Sequence, residues 1–137
     1  MKRLIITSIV LLAGISAEAM AVDCVNNQLK NSLVTTAVSG KTVCATNGGD
    51  KWQEFHQGGG ALIDYKKGPN DLVDKTKTVG SWNTSGSDTN TTVDYTYGAQ
   101  TYSYKVFLNS GQYTFCGING APTLDVTLLA GQVSCGF

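Results

Sequence analysis

Glu54 and His56 stand two residues apart in the segment K-W-Q-E-F-H (51–56), and His56 is the single histidine of the chain. A carboxylate beside an imidazole can hold the ring for general-base work near neutral pH. If the segment is a strand, Trp52, Glu54 and His56 point to one side, and Gln53 and Phe55 to the other. On the functional reading, Glu54 orients His56 in a barrel pocket walled by Trp52, Tyr65 and Trp82. These five are the candidate ligand-contacting residues. The plainer reading turns this face outward. His56 then lies exposed at the edge of Gly58-Gly59-Gly60, and its loss changes stability within about ±0.5 kcal/mol. A third reading is a buried histidine–glutamate hydrogen bond that fixes a turn. No serine or cysteine lies near His56 in sequence, so a nucleophilic triad lacks support and no catalytic residue is assigned. The balance for this pair favours a structural role, then ligand contact, then catalysis. The triple glycine reads as a hairpin loop, because a phosphate cradle would need a helix start and a flanking lysine.

Four cysteines, Cys24, Cys44, Cys116 and Cys135, are the other reactive side chains. Their chemistry depends on compartment, which the amino end addresses. Lys2 and Arg3 precede an apolar run from Leu4 to Ile15, followed by Ala17, Ala19 and Ala21. That is the plan of a secretory signal peptide, with cleavage expected after Ala21. The run falls short of the roughly 20 residues a membrane span needs. Cys24 comes too late for a lipid anchor. The reading is therefore a leader at 1–21 and one domain at 22–137, periplasmic or secreted, with no membrane attachment after cleavage. An even cysteine count in an exported chain points to disulfides. No C-x-x-C is present, so no metal site is expected.

Losing Lys2, Arg3 and Glu18 with the leader leaves eight lysines, nine acids and no arginine. Arginine is the usual bidentate reader of phosphates and guanine edges, so nucleic acid is not an expected partner. A P-loop, a dinucleotide fingerprint and H-E-x-x-H are absent, and no cofactor is assigned.

These residues must be positioned by a mostly β chain. Residues 25–38 place Val25, Leu29 and Leu33 on one face of a short helix that ends near Gly40. Short strands then follow at 41–46, 51–56, 61–67, 78–86, 91–97, 101–109, 112–118 and 123–130, separated by glycine- and asparagine-rich turns. Alternation is clear at Val93, Tyr95 and Tyr97, at Tyr102, Tyr104, Val106 and Leu108, and at Leu124, Val126 and Leu128. One buried and one wet face marks an antiparallel sheet. Hairpin-linked strands in series predict a meander of about eight strands curling into a small barrel, complete or not, because closure removes exposed edges. The helix would cover one mouth; a two-layer sandwich is the alternative. The tyrosines read mainly as core or cross-strand packing. Closing the meander would pair Cys44 with Cys116 and Cys24 with Cys135, whereas a local scheme would join Cys24 to Cys44 and Cys116 to Cys135.

The segments S-G-K-T-V-C, W-Q-E-F-H, L-I-D-Y-K-K-G-P-N-D, V-G-S-W, Y-T-Y, Y-S-Y-K-V and Y-T-F-C-G, in this order behind a leader, resemble a group of small uncharacterised secreted proteobacterial proteins. The group has no established activity, so the resemblance implies export and supplies no catalytic residues. Leu72 stands where that group's pattern has proline, which implies a looser loop. Gly80-Ser81-Trp82 is similar to the G-x-W motif of the calycins, the lipocalins and avidins, and implies a barrel. There the motif opens the first strand; here three candidate strands precede it.

Three functions are thus expected in order. The first is a binding protein that holds a small apolar or aromatic ligand in a barrel. The second is a protein-binding module, such as an inhibitor of a secreted enzyme. The third is a small enzyme using Glu54 and His56. The first requires a hollow interior and the second a filled one.

Overall fold

The computed structural model describes residues 24–64 and 77–137. The expected leader, Tyr65 and Leu72 lie outside the described residues. A short helix, α1 (Ser32–Val38), precedes eight strands: β1 (Lys41–Asn47), β2 (Asp50–His56), β3 (Ala61–Asp64), β4 (Lys77–Ser85), β5 (Thr92–Tyr97), β6 (Gln100–Asn109), β7 (Gln112–Ile118) and β8 (Leu124–Ala130). Each strand pairs antiparallel with the next, and β1 pairs with β8 from Lys41↔Ala130 to Thr46↔Asp125, closing the barrel. The meander and its closure are as the alternation predicts, and a short helix does precede the strands.

The alternation sets what lies inside. Val43, Leu62, Val93, Tyr95, Tyr104, Val106, Phe115, Leu124 and Val126 form the core with Val34 and Val38 of α1. A bulge breaks the register between β3 and β4: Leu62 faces Gly80, but Ile63 faces Thr78. Val79 is the extra residue, and the bulge lets Val79 and Trp82, three apart, both point inward. Gly80 has its own reason. A Cβ there would collide with the Thr96 carbonyl oxygen, so β4 and β5 approach closely only with glycine at this position.

The helix differs from the expectation. It begins at Ser32, and its buried residues are Val34 and Val38; Val25 and Leu33 are exposed. Asn27 and Asn31 take positive φ of 60° and 53°, which asparagine tolerates and a helix does not. The chain before Ser32 instead runs along the edge of β6. Leu29 donates its N–H to the Val106 carbonyl at 2.8 Å, and Leu108 donates to the Asn27 carbonyl at 3.1 Å. β5 pairs with β6 only as far as Tyr104, so this segment fills the edge left beyond it. Tertiary hydrogen bonding thus overrides the local apolar spacing. Further along, α1 packs on β1, β4 and β5 and closes one end of the barrel. Thr35 and Thr84 share a 2.7 Å hydroxyl bond there.

All four cysteines are oxidised, but neither expected pairing occurs. Cys24 bonds Cys116, and Cys44 bonds Cys135. The reason lies in where the two ends run. The amino-terminal segment follows β6 and reaches the outer face of β7, where Cys116 sits. The carboxyl-terminal tail instead crosses the outer face of β1 and β2. Val133 N–H donates to Thr42 Oγ1 at 3.1 Å, and Cys135 N–H donates to Gln53 Oε1 at 2.9 Å. Thr42 also donates to the Gly131 carbonyl at 2.7 Å. Thr42 and Gln53 are therefore buried polar residues with partners, and β1 is covered on both faces. Peptide mapping without reductant should recover Cys24–Cys116 and Cys44–Cys135 peptides. Replacing Cys44 and Cys135 together by serine should cost about 2–4 kcal/mol; an unchanged denaturation midpoint would show that the tail contributes nothing.

Candidate functional site

The barrel is filled at one end and hollow at the other. At the α1 end Val34, Val38, Leu62, Val93 and Val106 are fully buried. At the opposite end, where β1 turns into β2 and β5 into β6, a cavity of about 650 Å³ opens between the strands. Trp52, Glu54, Asp64, Tyr97, Gln100 and Tyr102 line its walls and mouth, and His56, Tyr95, Tyr104 and Phe115 lie deeper.

Two hydrogen bonds cross this space from β2 to β5. Tyr97 donates its hydroxyl to Glu54 Oε2 at 2.6 Å. One side-chain layer deeper, His56 Nε2 and the Tyr95 hydroxyl lie 2.8 Å apart. The Glu-x-His spacing on one strand is matched by Tyr-x-Tyr on the other. Two strands that are not neighbours are tied at two levels.

His56 is completely buried. This corrects the expectation of an exposed residue at a glycine-loop edge: the loop is exposed, but alternation puts the ring inside. His56 Nδ1 lies 3.2 Å from the Glu54 main-chain carbonyl. A carbonyl only accepts, so Nδ1 carries the proton, and Nε2 accepts from the Tyr95 hydroxyl. Burial lowers the His56 pKa to about 4, with the carbonyl bond opposing, so the ring is neutral at physiological pH. The ring also packs on Trp82 at 5.3 Å and edge-on to Tyr95 at 5.1 Å. Rings continue from Tyr95 to Tyr104 and on to Phe115. Glu54 does orient His56, but through its peptide carbonyl. Its carboxylate is held by Tyr97 instead.

Glu54 is largely buried, and burial raises its pKa; the Tyr97 hydrogen bond opposes this, and Asp64, its cross-strand neighbour, adds to it. Burial and the neighbouring Glu54 push the Tyr97 hydroxyl far up, so it stays a donor. Tyr104 is pushed up to about 12, chiefly by burial.

Trp52 stands half-exposed at the mouth. Trp82 is not part of the cavity wall. It lies beneath it against His56, and its indole N–H donates to the Gln57 carbonyl at 3.0 Å. Trp82 N–H also donates to the Gly60 carbonyl at 2.7 Å. The triple glycine is thus a hairpin loop whose carbonyls hold Trp82, with Gly59 and Gly60 at φ of 106° and 99°. The contributions of Tyr97, Tyr102, Asp64 and Gln100 escaped the sequence reading. The alternation of Val93, Tyr95 and Tyr97 is visible, but which strand they face across a barrel is not.

No protein-family model, curated protein or solved structure matches the chain. The closed eight-stranded antiparallel barrel is itself consistent with a calycin-like fold. Among the described residues no helix is long and apolar enough to cross a membrane.

The buried pair makes stability depend on pH in opposite senses. Unfolded, His56 takes a proton near 6.5; folded, only near 4. Stability is therefore lost as pH falls from about 6.5 to about 4, by up to ~3 kcal/mol from this residue. Glu54 acts the other way, because the folded state binds its proton more readily than the unfolded one. Urea melts between pH 7 and 4.5 should show a net decline, and Glu54→Gln should steepen it. A Glu54→Gln protein equally stable at both pH values would contradict the buried, neutral His56.

Proposed function

We propose that this chain is an exported binding protein that takes a small ligand with an apolar or aromatic body into the open half of its barrel. The observation that carries this reading is the cavity of about 650 Å³ above the His56–Tyr95 layer. Ligand sites of this kind run about 300–1,000 Å³, with mostly apolar walls and a few convergent polar groups. Val43, Ala45, Val79, Tyr104, Phe115 and Leu124 supply the apolar wall, and Glu54, Asp64 and Gln100 the polar groups. An inhibitor-type module would work through an exposed patch over a filled interior, and the hollow half favours a ligand. Catalysis by Glu54 and His56 has less support, since His56 is neutral with both ring nitrogens engaged. Location outside the cytoplasm rests on the leader at 1–21 and on the two disulfides.

The test is a fluorescence titration of the oxidised protein with a neutral apolar probe, N-phenyl-1-naphthylamine. Saturable one-to-one binding with a change in Trp52 emission is expected. A linear, unsaturable signal would end the proposal.

A further inference from the structure

Among the described residues four tyrosines line the cavity, and three of them commit their hydroxyl to the protein. Tyr95 donates to His56 Nε2 at 2.8 Å, Tyr97 to Glu54 Oε2 at 2.6 Å and Tyr102 to Gln100 Oε1 at 2.7 Å. Tyr104 differs: its hydroxyl forms no hydrogen bond with any of the described residues. Its place is the cavity floor. Tyr102, Tyr104 and Val106 follow one another down the inner face of β6, and their exposure falls from 37% to 5% to 0%. Tyr102 and Tyr104 line the cavity, whereas Val106 belongs to the filled end.

A buried hydroxyl without a partner costs free energy, and native structures seldom leave one so. Among the described residues every fully enclosed side-chain nitrogen or oxygen has a partner. The Tyr104 oxygen has none, so it is not enclosed but opens onto the cavity. The ring that carries it is held in place by Tyr95 at 5.7 Å and Phe115 at 6.2 Å. Burial, with Tyr102 and Glu54 adding, pushes the Tyr104 hydroxyl up to about 12, so it keeps its proton at neutral pH and acts as a donor.

We infer that Tyr104 is the specificity-determining residue of the site and that its ligands are small aromatic carbonyl compounds, which enter oxygen first and accept a hydrogen bond from the Tyr104 hydroxyl at the floor. This deepens the binding role proposed above and rests on it. The ring system of such a ligand lies against Val43, Phe115 and Leu124, which line the same space. A hydrocarbon of the same shape leaves the hydroxyl unpaired, and that difference separates the two.

The experiment is equilibrium dialysis of the oxidised chain and of Tyr104→Phe against two probes of one shape, 2-acetylnaphthalene and 2-isopropenylnaphthalene. The substitution removes one oxygen and keeps the ring. It should weaken the ketone about three- to ten-fold, the worth of one hydrogen bond, and leave the hydrocarbon within about two-fold. The infrared carbonyl band of the bound ketone should lie below its position in cyclohexane and move back toward it in Tyr104→Phe. The urea midpoint of the variant should match the wild type, because the hydroxyl has no protein partner to lose. Equal effects on the two probes, binding of the hydrocarbon alone, or a carbonyl band that the substitution leaves in place would overturn the inference while the cavity still binds. A Tyr104→Phe chain that melts well below the wild type or fails to fold would overturn it too, since the hydroxyl would then serve the protein. Failure of both naphthalenes and of N-phenyl-1-naphthylamine to bind would overturn the binding role as well.

Discussion

Trp82→Ala lowers stability by about 3–5 kcal/mol, the cost typical of cutting a large buried aromatic to a methyl group. Trp82 is almost wholly buried, packs on His56 and donates to the Gln57 carbonyl from within the closed half. Its loss opens a hole at the junction of β4, the glycine loop and the helix-covered end. It also leaves the Gln57 carbonyl without that donor. The loss should appear in urea melts as a lower midpoint with little change in slope. Trp82→Phe should recover much of the volume but not the hydrogen bond. A Trp82→Ala protein within about 1 kcal/mol of the wild type would mean that this end of the barrel is not packed as described.

His56→Ala should be nearly as severe, roughly 3–5 kcal/mol, where an exposed residue would cost almost nothing. Two effects add. The ring leaves a cavity between Trp82 and Tyr95, and the Tyr95 hydroxyl loses its acceptor. Tyr95→Phe removes the other partner and should cost about 1–3 kcal/mol, because Nε2 is then left unsatisfied. Made together, the two changes should cost less than the sum of the singles. That coupling is the signature of a direct bond across the barrel. Additive losses in the four melts would argue that the contact carries no energy.

The fold was legible because the sequence repeats one local message. Alternation at Val93, Tyr95 and Tyr97 and at Leu124 and Val126, with turns such as Asn119-Gly120 between strands, leaves little but a meander. The site was legible only in part. Trp52, Glu54 and His56 do share the inward face, since a strand allows nothing else. What faces them was hidden. Tyr95 and Tyr97 lie some forty residues away, on a strand that is not a neighbour of β2, and no local rule reports that distance. The bulge at Val79 hid the placement of Trp82 in the same way, by shifting which residues of β4 point inward. The disulfide pairing is not legible from strand order, because the strands are not the whole scaffold. Cys24 and Cys135 follow end segments held by hydrogen bonds to Val106, Thr42 and Gln53, and those routes leave no periodic trace.

Every strand pairing but one joins neighbours along the chain; the exception is β1 with β8. Both disulfides are long as well, bridging 92 and 91 residues. The order of assembly follows. Hairpins between adjacent strands close over short loops and form early, whereas the β1–β8 seam waits on a large loss of chain freedom. Until it forms, β1 and β8 are two bare edges, each able to recruit a strand from another molecule. Thiol trapping during refolding should therefore find Trp82 sheltered before either disulfide has formed. The interval before closure, rather than the finished barrel, is where crowding would act on this protein.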